Sequence, residues 1–453
     1  MRFTITIAVS VTWAFFAVQP VHASEIRISS LEELAEYASQ SGNTITMEPG
    51  AYELTEYIPL ESIPERRDNE DWHFIEFSGS GNMFDLTDVT IEVDTELRNE
   101  LDPPIHNPEF VVSGNNNTLQ GLTITNLGDG TSRGGNVLSV HGDGNTVRNV
   151  TLHVRGSFPY GYGDLLGKGG GSLVGLRKHS GLQITGNNTR VIGCEIFMRS
   201  FGHGFYIQDG ATNTYFEDCY VEGEMRSTDD MLAETSGPAY EADFASVYRN
   251  REGEFEILPG YMKSLAEDGF RTYGGVQDVT FINCTAKNMR GGWELRDSGP
   301  IHIESCEAIG NERGFWVGAD AVVKDSRGDA KYGPLLFLEG DNSSVYLELM
   351  PEESEMNVHA LASIHGSNHE VSIAPREGED VNPAVPIKLG FSQPGAGEGM
   401  APYSEQAARD ISLTNETNAP LVVGEQASAC QITTRGEVLE NAGDDIAIER
   451  SAP

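Results

Sequence analysis

The sequence predicts an all-β fold, a right-handed parallel β-helix in which short strands and turns coil around one axis. Short runs of alternating apolar residues recur along the middle of the chain, and a glycine-rich turn follows each of them. Cysteines mark the period, because 25 residues separate Cys194 from Cys219 and 22 separate Cys284 from Cys306. A period of this size without helical periodicity is typical of β-solenoids, whose coils bury their apolar faces against each other.

Asparagine-rich turns open several repeats, in segments 115–119, 144–147, 187–191 and 212–216. Because equivalent positions of stacked coils lie above one another, we interpret these asparagines as a turn ladder. By the same logic the cysteines form a ladder of buried thiols, with disulfides between coils as the alternative. N-glycosylation is the alternative interpretation for Asn116, Asn149, Asn187 and Asn283.

Residues 1–23 have the features of a secretory signal peptide. Met1 and Arg2 precede an apolar run from about Ile5 to Val18, and residues 21–23 suit a cleavage site. The run is too short to span a bilayer comfortably, which argues against a membrane anchor. We therefore expect a mature chain of residues 24–453 that is secreted or periplasmic.

The charge of the chain restricts its partners. With 69 acidic and 30 basic side chains, the net charge is −39. Nucleic acid and anionic membranes are disfavoured as partners, because both are bound through broad basic surfaces. The sequence gives no indication of the oligomeric state.

The N-terminal part is predicted to cap the solenoid. Residues 31–38 have helical periodicity and follow Ser29 and Ser30, which suit a helix N-cap. Residues 24–60 would form this cap within a single domain that spans residues 24–453. One segment, 227–275, interrupts the period, and its aromatic and charged composition predicts an ordered wall or lid beside a cleft.

With a cap followed by regular coils, the chain resembles right-handed parallel β-helix proteins of the pectate-lyase-like group. The resemblance extends from roughly Ile45 to Ile448, with weaker periodicity after Met350. It implies a carbohydrate-active protein, and the group includes polysaccharide lyases, glycoside hydrolases, epimerases and non-catalytic spikes. The reaction must therefore be inferred from the residues of the site.

Polar residues cluster on the strand that follows each glycine turn. Alternation predicts that one set points into the core: Leu138, Val140, Val174, Leu176, Phe205, Ile207 and Leu295. The alternate set would form an outward stripe: His141, Arg177, Tyr206, Gln208, Glu294, Arg296 and Trp316. A register shift of one residue would exchange the two sets.

A second row consists of four arginines that follow the ladder cysteines by 5 to 7 residues: Arg199, Arg226, Arg290 and Arg313. Like charges stacked this closely repel each other, and two interpretations remain open. Either each arginine pairs with nearby acids, or the four form a line that binds a polyanion, since arginine binds carboxylates bidentately.

A lyase acting on a uronate must neutralise the carboxylate, remove the neighbouring proton and protonate the leaving oxygen. His203 lies between two glycines and has little steric cover, which makes it the leading catalytic candidate. We expect catalysis by His203, Tyr206, Lys178, Arg177 and Glu294. Substrate binding is expected from His179, Asp229 and Asp230, from the remaining stripe residues and from the arginine row.

A glycoside hydrolase instead needs two carboxylates across the scissile bond. Glu294 with Asp229 or Asp230 would supply them, and polygalacturonases, which this region resembles, also carry Gly-His-Gly and Asp-Asp elements, in the opposite order. Basic and aromatic residues outnumber acids in the stripe, so the sequence favours a lyase that cleaves an anionic, uronate-containing polysaccharide. The alternatives are the hydrolase and a non-catalytic carbohydrate-binding surface protein.

The sequence leaves the cofactor open. Several β-helix lyases that the chain resembles use calcium, and acidic residues are plentiful, so calcium is a candidate. No compact set of oxygen ligands with loop-like spacing stands out in the sequence. The 11 histidines show no zinc-binding spacing.

Overall fold

The protein forms a right-handed parallel β-helix, as predicted, with 46% of its residues in strands and 9% in helices. Its structure, a computed structural model, describes residues 24–168, 170–171, 173–250, 253–296, 299–351, 358–376, 383–390 and 407–451. Residues 1–23, where the signal peptide is predicted, lie outside these described residues. Among the described helices, none combines the length and apolar character needed to cross a bilayer.

The helices are short and lie mainly at the N-terminal end. They are α1 (Leu31–Ala38), α2 (Leu54–Tyr57), α3 (Ile63–Asp68), α4 (Thr95–Leu101), α5 (Thr228–Leu232) and α6 (Pro238–Glu241). Helix α1 is the predicted capping helix. The Ser30 hydroxyl accepts a hydrogen bond from the Glu33 backbone N–H at 3.2 Å, as an N-cap residue does.

The strands of the first half are β1 (Ser24–Ile28), β2 (Asn43–Met47), β3 (Gly50–Glu53), β4 (Ile75–Phe77), β5 (Met83–Asp94), β6 (Asn107–Val112), β7 (Thr118–Leu127), β8 (Gly135–Val140), β9 (Thr146–Arg148), β10 (Thr151–Val154), β11 (Gly170–Gly171), β12 (Gly175–Leu176), β13 (Ser180–Ile184), β14 (Arg190–Ile192), β15 (Glu195–Met198), β16 (Phe205–Ile207), β17 (Thr212–Glu217), β18 (Tyr220–Glu222), β19 (Met225–Ser227) and β20 (Met262–Ser264).

The strands of the second half are β21 (Asp268–Thr272), β22 (Gln277–Ile282), β23 (Thr285–Lys287), β24 (Gly291–Leu295), β25 (Ile301–Glu304), β26 (Glu307–Ile309), β27 (Phe315–Val317), β28 (Ala321–Gly328), β29 (Leu336–Leu338), β30 (Ser344–Leu349), β31 (Ala362–Ile364), β32 (Gly366–Ser367), β33 (Glu370–Pro375), β34 (Ile387–Leu389), β35 (Ala408–Arg409), β36 (Ser412–Asn415), β37 (Leu421–Val423), β38 (Ala427–Ser428), β39 (Gln431–Thr434), β40 (Val438–Asn441) and β41 (Ala447–Arg450).

Two long parallel sheets run along the helix axis. Within the described residues, the first, called the site sheet below, has 13 strands in the order β4-β6-β8-β13-β16-β21-β24-β27-β29-β31-β34-β37-β40. The second, called the lateral sheet, has 21 strands in the same part of the chain and contains β7, β10, β15, β18 and β23 as stacked neighbours. Strands of each sheet pair in parallel with those of the next coil, so equivalent residues form rows along the axis.

Glycines set the register of the site sheet. In five successive coil strands a glycine immediately precedes the core-facing residue: Gly181, Gly204, Gly269, Gly292 and Gly314. A Cβ atom on Gly204 would lie 2.9 Å from the Gly269 carbonyl oxygen, and one on Gly269 would lie 2.9 Å from that of Gly292. The coils therefore approach too closely here for a larger residue.

The residue after each of these glycines points into the core. Phe205, Phe270, Trp293 and Phe315 form one continuous stack, with ring centroids 5.1, 5.0 and 4.8 Å apart. Offset stacks of buried aromatic rings contribute beyond their burial alone. The next residue along each strand then points outward, toward the candidate site.

Buried side chains also form ladders on the lateral side of the core. All five cysteines are buried and free, as the thiol interpretation predicts. Asn82, Asn117 and Asn145 form a chain of hydrogen bonds, called the asparagine ladder below. The Asn145 Oδ1 accepts from the Asn117 backbone N–H at 2.8 Å, and Asn117 Oδ1 accepts from that of Asn82 at 2.9 Å. The turns beside this ladder place Asn116, like its counterparts in later coils, at positive φ.

Two insertions interrupt the coils, whereas the sequence predicted one. The first insertion, residues 155–179, connects β10 to β13, and the second, residues 223–267, connects β18 to β21. The predicted bounds of 227–275 differ from the structure because β21 is a regular coil strand that pairs with β16 and β24. The insertions pack against each other through a small apolar core that includes Tyr162, Leu165, Met231 and Ile257.

The first insertion also changes the predicted stripe. Val174 packs against the small core between the insertions, and Leu176 lines a cavity, so neither enters the core of the coils as expected. The coil strand is β13, five residues later, and its outward residue is Gln183. Alternation alone misled here because β12 pairs antiparallel with β11 in a local hairpin.

Candidate active site

Parallel register brings five different outward side chains into one row on the site sheet. Tyr206 lies opposite Gln183 on one side and Arg271 on the other. Glu294 follows Arg271, and Trp316 follows Glu294. Since adjacent strands are about 4.8 Å apart, each of these side chains lies beside its neighbours in the row.

A cavity of about 270 Å³ lies at the entrance to this row, where the two insertions cover the coils. It is lined by Ile105, His106, Arg133, Gly134, Gly135, Lys168, Leu176, Lys178, Ser180, His203, Tyr206, Gln208, Glu267 and Tyr273. Four of the predicted site residues therefore meet in one place: His203, Tyr206, Lys178 and Gln208.

His203 lies at the centre of the cavity wall. Its Nε2 atom is 2.8 Å from the Tyr273 hydroxyl oxygen and 3.5 Å from Glu267 Oε2. Its Nδ1 atom is 3.2 Å from Asp268 Oδ2 and 3.4 Å from the Asp268 backbone nitrogen. The imidazole also lies between two tyrosine rings, 5.6 Å from that of Tyr206 and 5.8 Å from that of Tyr273.

The only acid in the cavity lining, as described, is Glu267. Its Oε1 atom accepts a hydrogen bond from the Lys178 ammonium at 2.6 Å. Burial by itself would raise the pKa of this carboxyl, but Lys178, His203 and Arg290 outweigh that effect and bring the pKa to about 2. Glu267 is therefore a carboxylate at neutral pH and a poor proton donor.

Both tyrosines of the cavity are proton donors at neutral pH. Burial raises the pKa of Tyr206 well above its ordinary value, and its hydroxyl donates to Asn136 Oδ1 at 3.0 Å. Burial, followed by the charge of Glu267, raises the pKa of Tyr273 to about 12. Tyr273 is only partly buried and faces the cavity.

Behind the cavity lies a set of buried ion pairs, called the charge network below. Its members are Asp164, Lys178, Lys263, Glu267, Asp268, Arg290, Glu312 and Arg313. It joins the first insertion to the second, because Lys263 Nζ lies 2.7 Å from Asp164 Oδ1. It joins both to the coils, because Arg290 pairs with Asp164 of the first insertion at 3.3 Å and with Glu267 of the second at 3.5 Å.

The network fixes the ionisation of its members. Burial would raise the pKa of the Asp268 carboxyl, but Arg290 and His203 hold it well below its ordinary range. Burial would lower the pKa of the Arg290 guanidinium, but Asp268, Glu267 and Asp164 raise it further above its ordinary value. Each charge is therefore stable only while its partners stay in place.

The predicted arginine row does not form a line on the surface. Arg290 and Arg313 are buried in ion pairs, so the interpretation of local pairing with acids holds for them. Arg226 lies in the second insertion, where it pairs with Glu234 at 2.6 Å. Arg199 is exposed and lies in a groove of the lateral sheet, outside the cavity.

Glu294 points outward, as predicted, but arginines surround it. It forms ion pairs with Arg271, with Arg296 at 3.3 Å and with Arg313 at 3.4 Å. Arg296 also covers the ring of Trp316, 4.1 Å from its centroid. Glu294 and Trp316 are both buried, and these two members of the row lie outside the cavity lining.

Five other predicted residues lie outside the cavity lining. The Arg177 guanidinium donates to the Thr131 hydroxyl at 2.9 Å, and His141 is exposed at the end of β8. His179 is buried, with Nε2 3.1 Å from Glu109 Oε1. Asp229 and Asp230 are exposed in the first turn of α5 in the second insertion.

Four residues of the site were not predicted from the sequence, because they fall within the segment assigned to the insertion: Glu267, Asp268, Arg271 and Tyr273. A repeated sequence pattern does identify the coil strand that carries Arg271. Glycine, then an aromatic residue, then an outward residue occurs at 204–206, 292–294 and 314–316, and the same pattern at 269–271 marks a coil strand. Lys168 lies at the cavity rim, and its ammonium is 4.7 Å from the centre of the Tyr248 ring. No comparable sequence pattern marked this residue.

Within the described residues, no group of three or more His, Cys, Asp or Glu side chains is arranged to hold a metal ion. No family model matches the sequence, and no curated protein matches it either.

Several solved structures have a similar chain path. One is described as a new PL6 alginate lyase complex with trisaccharide; it is 12% identical, with 94% of this chain and 89% of that chain covered and a TM-score of 0.46. Another is a mutant tailspike protein of E. coli bacteriophage HK620 in complex with pentasaccharide, 11% identical, with 92% and 74% covered and a TM-score of 0.46. A third is the PL6 family polysaccharide lyase Pedsa3628 from Pseudopedobacter saltans, 11% identical, with 94% and 92% covered and a TM-score of 0.38.

Proposed function

We propose that this protein is an exported enzyme that acts on polysaccharide, and specifically a lyase that cleaves a uronate-containing chain by β-elimination. The observation that carries this proposal is the composition of the cavity. It combines two lysines, an arginine, two histidines and two tyrosines with one carboxylate, Glu267, that is already paired.

Lysines provide for the first requirement, neutralisation of the substrate carboxylate. Lys178 lies in the cavity wall and Lys168 at its rim. Desolvation, followed by the charge of Arg290, lowers the pKa of Lys168. A substrate carboxylate would therefore add negative charge beside Lys168 and favour the charged form of this lysine.

Tyr273 and His203 suit the second requirement, removal of the proton at C5. The Tyr273 hydroxyl is within hydrogen-bonding distance of Nε2, and Asp268 faces Nδ1 on the other side of the ring. In the proposed step the imidazole takes the Tyr273 proton while the phenolic oxygen takes the C5 proton. Asp268 then stabilises the imidazolium, as an acid does in nucleophile–histidine–acid triads.

Tyr206 suits the third requirement. The electron pair of the C5–H bond forms the C4–C5 double bond, the C4–O bond breaks, and the leaving oxygen takes a proton. Tyr206 lines the same cavity and remains protonated because burial raises its pKa. This assignment keeps Tyr206, His203 and Lys178 in catalysis and adds Tyr273 as the base.

The hydrolase alternative has less support from the geometry. Hydrolysis needs a protonated carboxyl and a second carboxylate across the scissile bond. The pKa of Glu267 is about 2, and Glu294 is buried among arginines. Neither is a suitable acid catalyst.

An assay with a panel of uronic-acid polysaccharides tests the proposal. The purified protein is incubated with polygalacturonate, alginate and glucuronate-containing polymers, and both ultraviolet absorbance and reducing ends are followed. A lyase produces the two signals together, because each cleavage creates an unsaturated, absorbing end. Reducing ends without absorbance would establish hydrolysis, and binding without either signal would establish a non-catalytic protein.

A further inference from the structure

A groove on the lateral sheet has the features of a second ligand site. It has a volume of about 580 Å³ and is lined by residues 125–127, 153–155, 197–199 and 222–224, where β7, β10, β15 and β18 end. This volume is in the range of small-molecule sites. The cavity of the candidate active site has a different lining.

Stacked rings form the floor of the groove. His153 on β10 lies opposite Phe197 on β15, and their rings are nearly parallel, with centroids 5.1 Å apart. Tyr220, on the neighbouring strand β18, lies opposite Glu195, and its ring is 6.0 Å from that of Phe197. His153 is exposed and the other two rings are partly buried, so part of each ring remains accessible. Such a floor suits the flat C–H face of a sugar ring, which it can bury without leaving polar groups unpaired.

Two guanidinium groups lie beside this floor. Arg155 and Arg199 follow His153 and Phe197 by two residues, so they occupy equivalent positions of adjacent coils. Neither takes part in the ion pairs of the described residues, although the chain carries a net charge of −39.

The acids of the groove are already engaged. Glu222 pairs with Lys287 at 2.8 Å and accepts from the Tyr220 hydroxyl, and Glu224 accepts from the Tyr160 hydroxyl at 2.6 Å. The two arginines are thus left for an external anion. Stacked like charges are unfavourable in the absence of an anion between them.

We propose that this groove binds an anionic saccharide, with a sugar ring on His153 and Phe197 and its carboxylate held by Arg155 and Arg199. The inference rests on the proposed function for the class of ligand, a uronate chain. Because the groove and the cavity are separate, the groove would hold the polymer near the enzyme between cleavage events and raise its effective concentration at the cavity.

Calorimetric titration tests this site. The probes are hexasaccharides of galacturonate and of mannuronate, with a glucose hexasaccharide and a glutamate hexapeptide as comparisons. The protein carries Tyr273→Phe, so that the probe is not consumed. Removing the ring with Phe197→Ala, or the charge with Arg199→Ala, is expected to weaken one binding event by at least about tenfold. The glucose and glutamate probes are expected to bind more weakly than the better uronate.

Arg190 and Tyr215 provide the matched control. They form an arginine–aromatic pair on other strands of the lateral sheet, with the guanidinium 4.4 Å from the ring centre. Arg190→Ala and Tyr215→Ala should leave uronate binding unchanged.

The stoichiometry separates this inference from the proposed function. If two binding events are seen and the groove variants retain one, both proposals are supported. If a single event is seen and the groove variants lose it, the groove proposal is supported even if the cavity binds no uronate. If the protein cleaves a uronan but Phe197→Ala and Arg199→Ala do not change uronate binding, the groove proposal is wrong and the lyase proposal stands. Equal affinity for the glutamate or glucose probe also overturns it.

Discussion

The asparagine ladder and the charge network are both buried and polar, yet they are built in opposite ways. In the ladder, Asn145 uses its amide to serve the turn of its own coil and the backbone of the preceding one. In the network, Arg290 binds Asp164, which is 126 residues away in the chain. The ladder repeats one residue type in neighbouring coils, whereas the network joins different residues from two insertions and three coils.

This difference distinguishes the polar residues that stabilise a solenoid from those that can carry out its chemistry. A repeated side chain sees the same surroundings in every coil, so it contributes to stability and register. Chemistry needs unlike groups beside one another, such as His203, Tyr273 and Asp268, and a strict repeat cannot supply them. The site is therefore found where the repeat is broken.

The largest effect is expected from breaking the network. Arg290→Met leaves Asp268 buried without its main cation and removes a second cation from Glu267 and Asp164, which should lower the free energy of unfolding by about 3–5 kcal/mol. Urea unfolding measures this change. Arg327→Met is the control, because Arg327 pairs with Glu307 in a partly exposed position and its loss should cost at most about 1 kcal/mol. Equal losses in both variants would show that burial of the network contributes nothing.

The next effect is expected on turnover alone. Tyr273→Phe removes the hydroxyl at His203 Nε2 and should lower kcat by about 100-fold or more, with little change in unfolding. Initial rates on the best substrate of the polysaccharide panel measure it. Tyr346→Phe, at a tyrosine that is 40% exposed on β30, should keep full activity. Full activity of Tyr273→Phe would remove this residue from the mechanism.

The smallest effect is expected in the ladder. Asn145→Ala leaves the Asn117 N–H and two glycine carbonyls without their partner and should lower the free energy of unfolding by about 1–3 kcal/mol. Asn115→Ala, at an exposed asparagine in the turn of the preceding coil, should cost less. Turnover should be unchanged in both variants. A loss of activity in Asn145→Ala equal to that in Tyr273→Phe would contradict the separation of ladder and site.

Much of the fold follows from the sequence because each coil contacts only its neighbours. The period, the capping helix after Ser30 and the buried thiols were all predicted and are present. The alternation of residues also predicted that Tyr206 and Glu294 point outward. The same residue pattern recurs along the sequence, because each coil must pack against its neighbours in the same way.

Part of the candidate site was also within reach of the sequence. His203, Tyr206 and Lys178 were predicted as catalytic residues, and the structure brings them to one cavity. Their roles remain proposals. Arg290 was predicted to bind substrate, but the sequence could not show that acids from both insertions enclose it.

The sequence by itself determined the solenoid, its register and the direction of most coil side chains, because these depend on local alternation and on turns that repeat. Only the tertiary structure decided which unlike residues meet. Lys178 and Glu267 are 89 residues apart, so their contact depends on how the two insertions fold over the coils. His203 and Tyr273 are 70 residues apart, and they meet because the coil strands beside them, β16 and β21, pair directly across the second insertion. No periodic pattern records such long-range contacts, since each of them is made once.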